Sequence, residues 1–214
     1  MVNQILGFDF RVADWPGITA WWDEPRRAHY LLRPEVPWVA SVDSAVLPSV
    51  FDFGNALNSP ATGFAISRLI PEGMHQQAFG LWRDLGAMQQ AVSRQSLPKD
   101  ATYMSIALTV IGDDLPATQW AWDDLLEERT NPPTVSQGWK LLGYDVADRS
   151  LLSGLSNCGY DGDEKPILTK TWPDKLNEVG LLRDLNDAME FKDVTNRHVP
   201  EHAPFLVFGL YELS

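Results

Sequence analysis

A single cysteine in 214 residues leaves no internal disulfide to staple the fold. Basic residues are also few: 17 Lys and Arg stand against 29 Asp and Glu, a formal net charge of -12. Phosphate backbones and anionic membranes need a positive surface, so the balance argues against a nucleic-acid or membrane partner and for a basic one. No apolar run approaches the roughly 18 to 20 residues of a membrane helix. The opening MVNQILGFDF has no basic n-region, long apolar h-region or small-residue cleavage site. The expectation is a cytoplasmic protein. Walker, GxGxxG and GxSxG motifs are missing, which excludes the common phosphate, dinucleotide and hydrolase signatures. The FDFG at 51–54 resembles the kinase magnesium triplet but has no glycine-rich loop, VAIK-like lysine or HRD-like loop beside it. A site of dispersed carboxylates leaves no local trace and stays open.

What is present is enough apolar sequence, 44% of residues, to bury a core, and a length that fits one domain over 1–214. Leu6, Phe8, Phe10 and Val12 alternate at period two and predict a half-buried strand. Further strands are expected at 36–42, 62–70, 102–112 and 203–213. Met74, Ala78, Leu81, Trp82, Leu85, Met88 and Val92 recur at helical spacing and predict an amphipathic helix over 73–94. A second helical region is expected from Pro173 to about Phe191, interrupted at Gly180, and a shorter one at DRSLLSGLSN, closed by Gly159. This irregular order predicts an α+β fold, a single domain with a mainly antiparallel sheet packed with several helices. LGFDFRVADWP (6–16) and LGYDVADRSLL (142–152) echo one another, but aligning them takes a two-residue gap, which favours coincidence over duplication.

The acidity is uneven. Residues 1–107 carry 10 acids and 8 bases, net -2; residues 108–214 carry 19 and 9, net -10. TQWAWDDLLEER (118–129) concentrates it. Asp113, Asp114 and Pro116 start a helix that Asn131, Pro132 and Pro133 end. With about 100° per residue, Trp122, Leu125 and Leu126 form one apolar stripe, while Asp123, Asp124, Glu127 and Glu128 surround Trp120. An aromatic ringed by carboxylates suits partner recognition. The competing reading packs Trp120 under the neighbouring proline loop and leaves the acids as a solvated face.

HVPEH (198–202) fits the H-x-x-E-H pattern of inverted zinc peptidases, yet Pro200 and Pro204 disfavour the helix on which both histidines would share a face. A turn is expected there instead. Cys158 lacks a local nucleophile signature, and Asp161, Asp163 and Glu164 form an acidic turn without the twelve-residue spread of an EF-hand loop. No metal ligand set and no cofactor is assigned.

GWKLLGYDVADRSLLSGLSNCGY (138–160) resembles segments of bacterial immunity proteins that protect against polymorphic toxins. The resemblance implies a cytoplasmic, acidic, non-enzymatic inhibitor that occludes the active site of a cognate basic toxin, and it carries over no site residue. The expected contact surface, read from the residues themselves, is Trp120, Asp123, Asp124, Glu127 and Glu128, with Asp161, Asp163 and Glu164 as a second patch. The alternatives are a metal-assisted hydrolase using carboxylates with His198 and His202, and a structural subunit of a larger assembly.

Overall fold

A computed structural model describes residues 2–14, 32, 42, 50, 75–76, 81–82, 84–95, 97, 99–112, 134–148, 151–155 and 164–214. They form β1 (Val2–Asp14), β2 (His75–Gln76), β3 (Leu81–Trp82), α1 (Leu85–Ser93), β4 (Thr102–Gly112), β5 (Lys140–Ala147), α2 (Glu164–Thr171), α3 (Leu185–His198) and β6 (Leu206–Glu212), with a 3-10 turn at Pro173–Lys175. The strands make one antiparallel sheet in the order β2-β3-β1-β4-β6-β5. Its helices pack against it, so the fold is α+β. Among the described residues no helix is long and apolar enough to cross a membrane.

β4 and β6 lie where their apolar runs predict them, and both are interior strands with a neighbour on each side. β1 is less simple than its alternation. A bulge between Ile5 and Gly7 takes Leu6 out of step, so Ile5, Phe8 and Val12 share one core cluster while Leu6 joins the other. The strand is buried on both faces rather than half-buried, because Asp9 and Arg11 on the alternate face are about 1% exposed.

The echo between the two LG-aromatic-Asp stretches is structural. Phe8 of β1 pairs with Trp82 on one side and Ala107 on the other; Tyr144 of β5 pairs with Leu182 and Gly209. His75 pairs with Trp82 as Leu176 bridges to Leu182. β4 and β6 therefore correspond as Ala107 to Gly209, Leu108 to Leu210 and Thr109 to Tyr211. The central register obeys the same exchange: Ala107 faces Tyr211, Thr109 faces Gly209, and Leu108 faces Leu210. A two-fold axis normal to the sheet, passing between Leu108 and Leu210, satisfies every one of these pairings.

The sequence agrees without a gap once aligned this way. LGFD (6–9) matches LGYD (142–145), and GLWRDL (80–85) matches GLLRDL (180–185). Each RDL opens a helix whose Asp caps it: Asp84 accepts from the Ala87 amide and Asp184 from the Asn186 amide, both at 2.7 Å. Met88 and Ala91 of α1 are buried, as are Ala188 and Phe191 at the matching turns of α3. Both glycines meet the same obstacle. A Cβ on Gly7 would stand 2.8 Å from Leu81 Cβ and 2.9 Å from Trp82 O; one on Gly143 would stand 2.7 Å from Leu181 Cβ and 3.0 Å from Leu182 O. Close approach of the neighbouring strand requires glycine at each.

Several expectations are corrected. The helix over 73–94 begins only at Leu85, because Leu81 and Trp82 are hydrogen-bonded into the sheet as β3. The helix expected from Pro173 is a 3-10 turn followed by a left-handed Gly180 (φ 75°), and α3 starts after Asp184 and runs past Phe191 to His198. DRSLLSGLSN is not helical over 151–155: Ala147 bridges back to Ser153 and Leu151 takes φ 59° in the reversal. β5 is a strand that the sequence reading did not assign. The strands expected at 36–42 and 62–70 lie outside the described residues, Val42 excepted.

Candidate functional site

Trp120, Asp123, Asp124, Glu127, Glu128, Asp161 and Asp163 lie outside the described residues, as does Cys158. Glu164 is the first residue of α2. What the structure does bring together is a set of buried polar side chains along β1 and β5.

Asp9 and Asp145 are equivalent under the two-fold, and each carboxylate accepts the amide of the next residue, Phe10 at 2.8 Å and Val146 at 2.7 Å. Around this shared contact the halves differ. Asp9 Oδ2 accepts from Arg11 Nε at 2.9 Å, a buried ion pair on one face of β1. Asp145 instead accepts from Ser153 Oγ at 2.7 Å and from the Val42 amide at 2.9 Å. Arg11 Nη2 also donates to the Val42 carbonyl at 3.3 Å. Val42 is thus held by its N–H to the second half and by its C=O to the first. A buried peptide unit with both groups satisfied stabilises by avoiding a desolvation cost of about 1–3 kcal/mol per group. Asp145 and Arg11 anchor Val42 to the sheet.

The second half adds a pair the first half lacks. Asp148, at the position of Val12, accepts the Leu152 amide through Oδ1 at 3.0 Å and faces His202 Nδ1 through Oδ2 at 3.2 Å. Its side chain is 3% exposed while that of His202 is 42% exposed. The carboxylate accepts, so Nδ1 carries a hydrogen, and in the neutral ring Nε2 is then the acceptor. Such a pair can orient an imidazole as a general base. Ser153 Oγ does not serve it: that hydroxyl donates to Asp145 and accepts from the Leu155 amide at 3.1 Å.

The chain matches no protein-family model, no curated protein and no solved structure. The reading of the site therefore rests on its geometry.

His198 ends α3 and His202 lies in the turn after it, so HVPEH does not form the two-histidine helical face of a zinc peptidase. Among the described residues no group of three or more His, Cys, Asp or Glu side chains is placed to hold a metal ion. The sequence reading passed over Asp9, Arg11, Asp145 and Asp148. The signal for the first three was present: charged residues inside apolar strands, with the aspartate repeated in both LG-aromatic-Asp stretches. The pairing of Asp148 with His202 spans 54 residues and has no local signature.

Proposed function

We propose that this chain is a non-enzymatic, protein-binding inhibitor of the immunity type, which captures a basic partner such as a cognate toxin and occludes its active site. The observation that supports this most is where the surplus negative charge falls in a design of two halves. The halves share strand register, capped helices and glycine contacts; residues 1–112 sum to -2 and residues 134–214 to -5, while the connection 113–133, which belongs to neither, adds -5. Neither half needs the net charge of that connection to build the fold. Surplus charge of one sign steers a partner of the other. The proposed contact residues are Trp120, Asp123, Asp124, Glu127 and Glu128, with Asp161, Asp163 and Glu164 as a second candidate patch.

The test is affinity capture of the tagged full chain from its source cells at low and moderate salt, with mass spectrometry of the retained protein. A single basic protein released by salt is expected. With that protein purified, Trp120→Ala should speed dissociation, and amide replacements of the four acids at 123, 124, 127 and 128 should slow association and flatten its salt dependence. Repeated failure to retain a basic partner overturns the reading; unchanged affinity in all five variants overturns the surface.

A second reading, metal-assisted hydrolysis using carboxylates with His198 and His202, draws on the Asp148–His202 pair. Metal analysis of untagged protein and of a His198/His202 double variant tests it: stoichiometric zinc or manganese, lost in the variant, is the result that favours it.

A further inference from the structure

The internal repeat also singles out one nucleophile. Asp148 stands where the first half has Val12, which is buried in an apolar cluster, so the strand folds at that place without a carboxylate. Burying a charge costs free energy that its partners must offset, and a charge kept where the fold does without one has another use. Asp148 is firmly held: its amide donates to the Leu152 carbonyl at 3.1 Å, its carbonyl accepts from the Leu151 amide at 3.0 Å, and Oδ1 accepts from the Leu152 amide at 3.0 Å. Its Oδ2 is aimed at His202 Nδ1, 3.2 Å away. The ring's own segment is fixed by a turn in which the His202 amide donates to the Val199 carbonyl at 3.1 Å and the Ala203 amide to that of Pro200 at 3.3 Å. Nδ1 rests against a buried carboxylate, whereas the His202 side chain as a whole is 42% exposed, so its accessible edge is the one that carries Nε2.

We propose that Nε2 of His202 is a covalent acceptor site for neutral acyl groups delivered by activated esters and thioesters, with Asp148 as its positioning residue. A carboxylate on Nδ1 fixes the proton there, and in the neutral ring the Nε2 lone pair faces solvent, free to attack. In the step, Nε2 bonds to the acyl carbon, the carbon–oxygen or carbon–sulfur bond to the leaving group breaks, and that group departs with the bonding pair. The acyl-imidazolium keeps its Nδ1 hydrogen, and its positive charge faces the Asp148 carboxylate. Water then attacks the acyl carbon and the pair returns to Nε2. This releases the carboxylic acid and one proton, which neutralises the departed anion. The acyl class follows from charge and surface. Glu201 adjoins His202 in a chain of net charge -12, which repels phosphate donors. Leu152, whose amide holds the other oxygen of Asp148, is 38% exposed and offers an apolar neighbour to an uncharged acyl chain. Acylation of His202 is independent of the proposed capture of a basic partner.

The probe is p-nitrophenyl acetate, added to the untagged full chain with EDTA at mildly alkaline pH. Nitrophenolate release is followed by absorbance, and peptide mass spectrometry locates the acetyl group. His202 should be acetylated at least about tenfold faster than either histidine of a peptide of residues 196–204, which has the same imidazoles without Asp148. His202→Gln should remove the adduct, and His75→Gln, in β2 at the opposite edge of the sheet, should not. Asp148→Asn keeps an oxygen for the Leu152 amide and should still slow acetylation at least about tenfold, because a carboxamide does not fix the tautomer. Nitrogen-15 NMR of the ring separates orientation from folding: His202 should be the Nδ1–H tautomer in the native chain and lose that preference in Asp148→Asn. An Nε2–H tautomer in the native chain, acetylation no faster than in the peptide, or an unchanged rate in His202→Gln each overturns the proposal. A reaction seen only when EDTA is omitted overturns it too, and is the result that metal-assisted hydrolysis predicts. Capture of a basic protein alongside an unreactive His202 would reject this inference and leave the proposed function standing.

Discussion

Replacing Gly143 by alanine tests the fold and its symmetry together. The added Cβ would lie 2.7 Å from Leu181 Cβ, 2.9 Å from Asn177 Nδ2 and 3.0 Å from Leu182 O. Asn177 cannot easily yield, because it donates to the Leu142 carbonyl at 2.7 Å and accepts the amides of Val179 and Leu181. Overpacking of this kind costs about 1–3 kcal/mol. Gly143 also holds φ at 150°, where a side chain adds strain of roughly 1–3 kcal/mol. Together these give a loss of about 2–6 kcal/mol, and at roughly 2–4 °C per kcal/mol for a chain of this size, a fall in Tm on the order of 10 °C. Gly7→Ala meets the same strand contact without the positive φ and should cost less. Gly112 has nothing within 4 Å of an added Cβ, so Gly112→Ala should be neutral or slightly stabilising. Thermal unfolding followed by circular dichroism ranks the three. A Gly143 variant as stable as the Gly112 variant refutes the close approach, and a Gly7 variant that behaves like Gly112 refutes the equivalence of the halves.

Two further outcomes follow from buried groups. Arg11→Met should destabilise by about 3–5 kcal/mol by removing the cation that faces Asp9, and the double change Asp9→Asn with Arg11→Met should recover part of it; urea unfolding that finds the double variant no better contradicts the ion-pair account. Tyr103, stacked on Phe10, is pushed up to about 12 by burial and by Asp100 from its ordinary 10. The folded chain keeps that proton where the unfolded chain loses it, so its contribution to stability is full below pH 10 and falls as pH rises from 10 to 12. Alkaline titration at 295 nm should show late tyrosine ionisation, to which Tyr144 also contributes, and Tyr103→Phe should remove one tyrosine's share of it.

How much of this was legible follows from where each signal resides. β4 and β6 are continuous apolar segments, and a strand in the interior of a sheet has that composition whatever its neighbours. β5 was hidden because the bulge at Leu142 and the glycine after it break the alternation of KLLGYDVA. Leu81 and Trp82 fit a helical period, and only their bonds to β1, far away in sequence, make them strand. The leucine-rich run after Asp148 fits a helix by composition; in the structure Asp148 holds a reversal by accepting the Leu152 amide. The repeat itself was readable, but aligning VAD with VAD introduced the gap. The equivalence that the strands obey puts Val12 opposite Asp148, and the match of GLWRDL with GLLRDL then falls into place.

An internal repeat separates what the fold needs from what it does not. Residues that recur at matching places have a reason common to both halves: Gly7 and Gly143 admit a neighbouring strand, Asp84 and Asp184 cap helices, Asp9 and Asp145 hold the following amide. Residues that stand in one half alone have no such reason, and among the described residues they include Arg11, Asp148 with His202, and the exchange of Trp139 for Asn3. A further singular feature is one of sequence. The connection between β4 and β5, residues 113–133, carries six acids and one base and joins the two copies, so it has no counterpart in either. Folding of two equivalent halves requires only that this connection span the distance. Its charge and its tryptophans are additional to that task, which is why the partner-binding residues are proposed there and not among the acids buried in the sheet.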